Sequence, residues 1–295
     1  MLQSPDKSPR ALIILIALAL IWGTSFILMK KGLVVFTPGE VGSIRVAAAS
    51  LFLLPAALTR LKELQRRHYV LLFIAGMTGI FLPAFCFATA QTRLESSVTG
   101  IMNSLTPIFT LLIGVTFFFQ KFLRRSMIGI VVGLAGTVIL ILADSAWAIT
   151  GINSFALLVI LACALYSTYL NFVKYKIPDL SAVTITSVSL LLVGPLAALY
   201  LFAFTGFTTR LSTTDGAWTA LGYVVLLGFM STSLATILFN KLVKISSPLY
   251  ASSVTYLIPI VAVLWGLADG ESLYGGHFAG MAAIVGGVYL SNRKS

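Results

Sequence analysis

Long apolar runs separated by short polar gaps fill the chain. A membrane span needs about 20 consecutive apolar residues when it is helical. Ten runs approach or exceed that length, at residues 11–29, 38–58, 69–90, 96–118, 126–142, 152–173, 180–204, 217–239, 248–267 and 274–290. Hydrocarbon offers no partner to a peptide group, so runs of this length predict helices. Pro55, Pro83, Pro107, Pro195 and Pro259 fall inside runs. Each removes one backbone hydrogen bond and is expected to bend its helix. The expected fold is an all-α integral membrane protein with ten transmembrane helices.

The pattern also repeats. Ser104-Leu-Thr-Pro107-Ile-Phe-Thr returns as Tyr256-Leu-Ile-Pro259-Ile-Val-Ala, 152 positions later. Gly129-x3-Gly133-x2-Gly136 returns as Gly280-x3-Ile284-x2-Gly287 at a spacing of 151. The chain therefore divides into residues 1–147 and 148–295, with five helices in each part. Five is odd, so the second part starts on the opposite face of the membrane. An inverted five-plus-five repeat with a cavity between its halves is a plan used by secondary transporters.

Composition removes the soluble alternatives. Hydrophobic residues make up 58% of the chain, charged residues only 10%, and the mean hydropathy is +1.00. Soluble domains carry about 25% charged residues. The first run, Ala11 to Met29, follows Lys7 and Arg10 and lacks a convincing small-residue cleavage site. It reads as an uncleaved first helix that also directs insertion.

The net charge is +11, but the basic residues sit in the gaps between runs. That distribution argues against a nucleic-acid surface and sets a topology instead. With the N-terminus inside, fifteen Lys and Arg residues fall on the inner side and four on the outer: Lys30, Lys31, Arg93 and Arg210. Both termini are then cytoplasmic. Arg45 is the one basic residue left within a run.

Arg45 lies about 10 Å into its helix at 1.5 Å per residue. A charge there is costly. It either snorkels to the outer headgroups or pairs between helices, or it is a cavity charge that selects anions or carboxylates. Trp22 and Ser25 are three residues apart and share a helix face. Trp22 either packs between helices or offers a solute an apolar face and one N–H. Asn103 lies four residues before Pro107. Its amide can satisfy a carbonyl released by the proline, or contact a solute. Tyr256 occupies the related place before Pro259, and Pro107 and Pro259 would both act as kinks. Tyr166, Tyr169, Thr232 and Ser233 are further path candidates, each equally suited to local packing. Trp265 reads as an interface anchor. Gly129, Gly133, Gly136, Gly280 and Gly287 permit close helix approach, within a domain or at a homodimer face.

Several of these segments resemble a known family. Leu20-Ile-Trp22-Gly-Thr-Ser25-Phe, Arg45-Val-Ala, and Ser97-x5-Asn103-Ser-Leu-Thr-Pro107-Ile-Phe-Thr occur in order. The Gly129 ladder, Tyr166-Ser, Tyr256-Leu-Ile-Pro259-Ile and the Gly280–Gly287 stretch follow. Together they resemble the bacterial drug/metabolite transporter superfamily, in particular its ten-helix EamA-like family. The family pattern carries a Glu after the fourth helix of each half. Here Gln120 stands near that position in the first half and Glu271 in the second. The resemblance implies a secondary transporter or facilitator in the cell membrane, moving a small metabolite by alternating access. Amino acids are the leading class.

Two other functions stay open at this level, an integral membrane enzyme acting on lipid or isoprenoid carriers, and a channel. Against an enzyme, His68, His277, Cys86 and Cys163 form no ligand spacing, and no catalytic motif is evident. No nucleotide-binding loop is present either. The expected partners are a small solute and membrane lipid, with no cofactor or metal.

Overall fold

The computed structural model of the protein describes residues 9–119, 154–271 and 274–292, with isolated helical positions between 128 and 139. All regular structure among these residues is helical. The helices are α1 (Pro9–Leu33), α2 (Pro38–Arg60), α3 (Arg66–Ala90), α4 (Ser96–Phe118), α5 (Phe155–Tyr175), α6 (Ala182–Phe204), α7 (Phe207–Thr213), α8 (Ala217–Ile245), α9 (Pro248–Ala268) and α10 (Gly275–Asn292). Eight of them are long and apolar enough to cross a membrane: α1 to α6, α8 and α9. The short α7 lies in a polar connection. The predicted run at 126–142 falls largely outside the described residues, including Gly129 and Gly133; Gly136 is helical and buried there. Gly280 and Gly287 are buried on α10.

The outward faces are apolar. Leu51, Val70, Phe117, Leu157 and Phe202 are all well exposed. An apolar surface of this kind suits lipid, which makes no demand for polar groups.

Packing mixes the two parts of the sequence. α1 packs on α8 and α9, and α5 packs on α3 and α4. α2 packs on α8, α3 packs on α6, and α2 and α6 pack on each other. α4 and α9 also touch, where the Ser104 hydroxyl donates to the Thr255 carbonyl at 2.9 Å. If α1, α2, α3 and α4 are paired in order with α5, α6, α8 and α9, each of these contacts has its reciprocal.

Helix breaks follow the same pairing. α3 carries a π-helical segment at Met77–Phe81 and α8 one at Gly228–Leu234. α4 carries a 3-10 turn at Asn103–Leu105 and α9 one at Ser253–Tyr256. Pro107 and Pro259 each stand just after a 3-10 turn. A proline displaces the carbonyl four residues before it. Those carbonyls belong to Asn103 and Thr255. The first accepts from Thr106 Oγ1 at 2.8 Å, the second from Ser104. The Asn103 amide is therefore not what closes the break; the freed carbonyl is its own. Pro55 and Pro195 sit inside continuous helices.

Helix starts are set locally. Thr37 caps α2 in a reciprocal box with Glu40, whose carboxylate accepts from the Thr37 N–H at 2.8 Å. Pro38 follows at the first helical position, where no N–H is needed.

The α3–α6 contact depends on Gly76. A Cβ there would lie 2.9 Å from the Ser189 carbonyl oxygen and 2.8 Å from Val193 Cγ1. Gly76→Val should therefore destabilise the fold by about 1–3 kcal/mol through overpacking. Gly222→Ala is the control, because nothing lies within 4 Å of its added methyl. Thermal unfolding of the two purified variants in one detergent should show a lower midpoint for Gly76→Val only.

Candidate functional site

Seven helices meet around a central void. It is lined by Trp22, Ser25, Phe26 and Met29 of α1, Arg45 of α2, Phe87 of α3, Asn103 and Thr106 of α4, Tyr166 and Leu170 of α5, Phe239 of α8 and Thr255 of α9. Its volume is about 50 Å³. One water needs about 10–15 Å³ on this measure, so the void admits a few waters. A second, smaller void adjoins it and shares Trp22, Arg45, Tyr166 and Phe239. Tyr169, Ser231, Thr232 and Thr236 line the second void.

The π-helical segment of α8 organises one wall. A π turn shifts the backbone register and leaves groups free to bond sideways. The Ser231 carbonyl accepts from Trp22 Nε1 at 3.1 Å. The Ser25 and Ser231 hydroxyls are 2.5 Å apart. Ser25 Oγ donates to the Ile21 carbonyl at 3.0 Å, so Ser231 supplies the proton between the two hydroxyls. Thr232 Oγ1 accepts from Arg45 Nε at 2.7 Å. Three side chains of α1 and α2, those of Trp22, Ser25 and Arg45, are thus tied to two consecutive residues of α8.

Arg45 is 7% exposed. It does not snorkel; its Nε donates to the Thr232 hydroxyl, and Tyr166 lines the same voids. Among the described residues no carboxylate stands within ion-pair distance of it. The nearby acid in sequence, Glu40, faces Arg210 instead, at 3.1 Å. Aromatic rings cover the rest of the void. Trp22 meets Phe239 edge-on at 4.7 Å, and Phe87 lies between Phe26 and Tyr166.

The other sequence candidates fall outside the void or at its edge. Ser233 donates to the Ala49 and Gly228 carbonyls. Tyr256 packs beside the apolar core while its neighbour Thr255 lines the void. Tyr169 is buried, and its hydroxyl donates to Asn240 at 2.8 Å. Asn240 in turn donates to Thr186, which links α5, α8 and α6. Ser231, Thr106 and Thr255 had no signal in the sequence beyond being hydroxyls near a break. Trp265 is partly exposed and donates to Thr24.

Charged networks close the two ends. At the Lys30 end, the Glu271 carboxylate is fully buried. It accepts from the Ser96 N–H at 3.1 Å, the Ser97 N–H at 3.0 Å, the Ser96 hydroxyl and Lys30 at 2.8 Å. The first residues of a helix leave N–H groups without partners, and α4 has no side-chain cap of its own. Glu271 supplies that cap from across the bundle. Lys30 also meets Asp269 at 2.8 Å, and Lys31 pairs with Asp269. At the other end, Asp179 accepts from Arg67 at 3.2 Å and lies 3.0 Å from His68 Nε2. Lys174 donates to the carbonyls of Val243, Lys244 and Ser246 at the end of α8.

Residues 9–142 and 153–293 each match the EamA-like transporter family. The chain belongs to that family. It is similar to an "Uncharacterized transporter" of Archaeoglobus fulgidus, 24% identical over 276 residues that cover 92% of this chain and 95% of the relative. It is also similar to the "Uncharacterized inner membrane transporter YedA" of Escherichia coli K12, 25% identical over 281 residues, covering 94% of this chain and 88% of the relative. A solved crystal structure shares the fold at a TM-score of 0.68, with 18% identity and 96% of each chain covered. The protein is a multi-pass membrane transporter of small solutes, not an enzyme. No group of metal-binding side chains occurs among the described residues.

Burial alone would raise the Glu271 pKa. Hydrogen bonds from Lys30, Ser96 and Ser97 outweigh it and hold the carboxyl down at about 2, against an ordinary 4.5. A depressed carboxyl stabilises the fold above its unfolded pKa, and that contribution is lost as pH falls through the folded value. Glu271→Gln should lower stability at pH 7 by about 1–3 kcal/mol, because the α4 N–H groups and Lys30 lose their charged acceptor. Unfolding followed from pH 7 down to pH 2 should show the wild-type advantage over the variant shrinking below about pH 4.5.

Proposed function

We propose that this transporter is a ten-helix carrier built as an inverted five-plus-five repeat, with residues 1–147 and 148–295 as its two units. The reciprocal packing supports the repeat. So do the paired π segments, the paired 3-10 turns and the two separate family matches. The Ser104–Thr255 bond joins residues 151 apart, which agrees with the 151–152 spacing of the sequence echoes. Both termini lie in the cytoplasm by the distribution of basic residues. The relative's inner-membrane name supports a bacterial inner or plasma membrane.

The central void carries the functional reading. It draws residues from seven helices and from both halves, so a relative movement of the halves changes its size and its access. Trp22, Ser25, Arg45, Asn103 and Tyr166 form the solute site, with Thr106, Thr255 and the Thr232 hydroxyl completing its polar wall. Tyr169 supports the site from below. Ser233 and Tyr256 act through helix packing. A void for a few waters favours a carrier over an open channel. The solute is a small polar or amphipathic metabolite, with amino acids the leading class. No ATP-binding motif accompanies the spans, which supports gradient-driven flux or exchange.

Two measurements test this reading. Single cysteines at Lys62 and Lys241 should react with an impermeant reagent from the cytoplasmic side, and one at Asp215 from the outer side. Labelling of Lys62 and Asp215 from one side would overturn the topology. Purified protein in sealed vesicles should give saturable, competitive flux with at least one member of a panel of amino acids, organic acids and nucleosides. Single-channel conductance without saturation would overturn the carrier.

A further inference from the structure

The central site contains a charge for which the described residues offer no opposite charge. Arg45 is buried on α2 and lines both adjoining voids. A guanidinium carries five N–H donors. Its hydrogen bond among the described residues goes to a neutral hydroxyl, on Thr232 at 2.7 Å, and Tyr166 lines the same voids. Among the described residues the ion pairs of Glu40, Asp179, Asp269 and Glu271 lie at the ends of the bundle, with Lys30, Lys31, Arg67, His68 or Arg210. A buried cation without a counter-charge is strongly disfavoured in a low-dielectric interior. The Thr232 bond holds the Nε edge of the guanidinium. That leaves a planar fork of terminal N–H groups, whose geometry matches a carboxylate bidentately.

The remaining walls refine the ligand. Trp22, Phe26, Met29, Phe87 and Phe239 present apolar and aromatic surface around the same void. Arg45 is the one cationic side chain that lines it. A doubly charged anion would bury a second negative charge without a partner. We propose that Arg45 is the solute-recognising group of this transporter, and that the solute is a monocarboxylate whose apolar portion lies on the aromatic wall. This rests on the carrier reading above and narrows its substrate class. Asn103 Oδ1 and the aromatic faces can receive an ammonium group, so α-amino acids remain within the class. Their decarboxylated or amidated counterparts do not.

The test uses the full chain purified in detergent and in sealed vesicles. The probes are 3-phenylpropionate, phenylalanine and phenylalaninamide, which differ at the carboxylate and the amine. Binding is read by ligand-dependent thermal stabilisation, and flux by counterflow. The carboxylates should bind at least tenfold more tightly than the amide. Arg45→Gln should lose that discrimination, and Arg45→Lys should recover part of it as a point charge. Thr232→Val keeps the charge but frees its orientation. It should weaken carboxylate binding several-fold, and it carries the test if Arg45→Gln does not fold. Equal binding of amide and carboxylate, or unchanged discrimination in Arg45→Gln, would overturn the proposal. Chloride that saturates the site and excludes 3-phenylpropionate would replace the carboxylate with an inorganic anion. Saturable flux confined to neutral or cationic solutes would leave the carrier standing and remove this substrate class. Absence of saturable flux for the whole panel would count against both.

Discussion

Hydrocarbon cannot hydrogen-bond a peptide group, so every break in a helix must be closed by another part of the bundle. This constraint explains where the polar residues of the chain are found. The breaks at Pro107 and Pro259 release the Asn103 and Thr255 carbonyls, and the hydroxyls of Thr106 and Ser104 take them up. The π segment of α8 releases the Ser231 carbonyl, and Trp22 takes it up. Each repair joins a break to a neighbouring turn or helix. The breaks cluster at mid-bundle, and so the polar groups do as well. A polar centre in an otherwise apolar protein is a consequence of those repairs, and it is also a place where a polar solute could be accommodated.

The ends of the bundle solve the same problem with charge. The first N–H groups of α4 are capped by Glu271, a residue from the far end of the sequence. Gly266 makes room for it, since a Cβ there would stand 2.5 Å from Glu271 Oε2. The carboxylate is in turn held by Lys30 of α1. One side chain therefore joins α1, α4 and the connection after α9. The opposite end uses Lys174 on the last carbonyls of α8, the complementary use of a cation at a helix C-terminus.

Much of the fold was legible in the sequence because span length and hydropathy are read residue by residue. Eight predicted runs correspond to described helices of spanning length. Residues that line the central void were legible where a polar or aromatic residue stood inside a run, as with Trp22, Ser25, Arg45 and Asn103. What could not be read was direction. Ser233 and Thr232 are adjacent and chemically similar, yet one bonds backbone carbonyls and the other meets Arg45. The π turn decides between them, and no residue in Gly228–Leu234 announces it; unlike α3, this segment has no proline after it. Of the two sequence readings of Asn103, closing the proline break is not what its amide does, because the freed carbonyl is its own. The role of Glu271 was hidden because it depends on a contact with α4 across the sequence.

The contrast between centre and ends has an energetic consequence for any carrier cycle. Neutral hydrogen bonds contribute about 0.5–1.5 kcal/mol each and are readily exchanged for bonds to water or solute. Separating a buried, hydrogen-bonded ion pair costs about 3–5 kcal/mol when one partner is left alone. Opening the Lys30 end would separate Lys30 from Glu271 and uncap α4 together. Re-pairing the Trp22–Ser231 and Arg45–Thr232 contacts requires only that a solute or water offer an equivalent group. The centre is thus the compliant region, and the charged ends set the larger barriers. A solute that satisfies the Arg45 charge adds favourable interaction at this centre, where seven helices meet. Charge compensation at the centre is therefore physically suited to offset the cost of breaking an end.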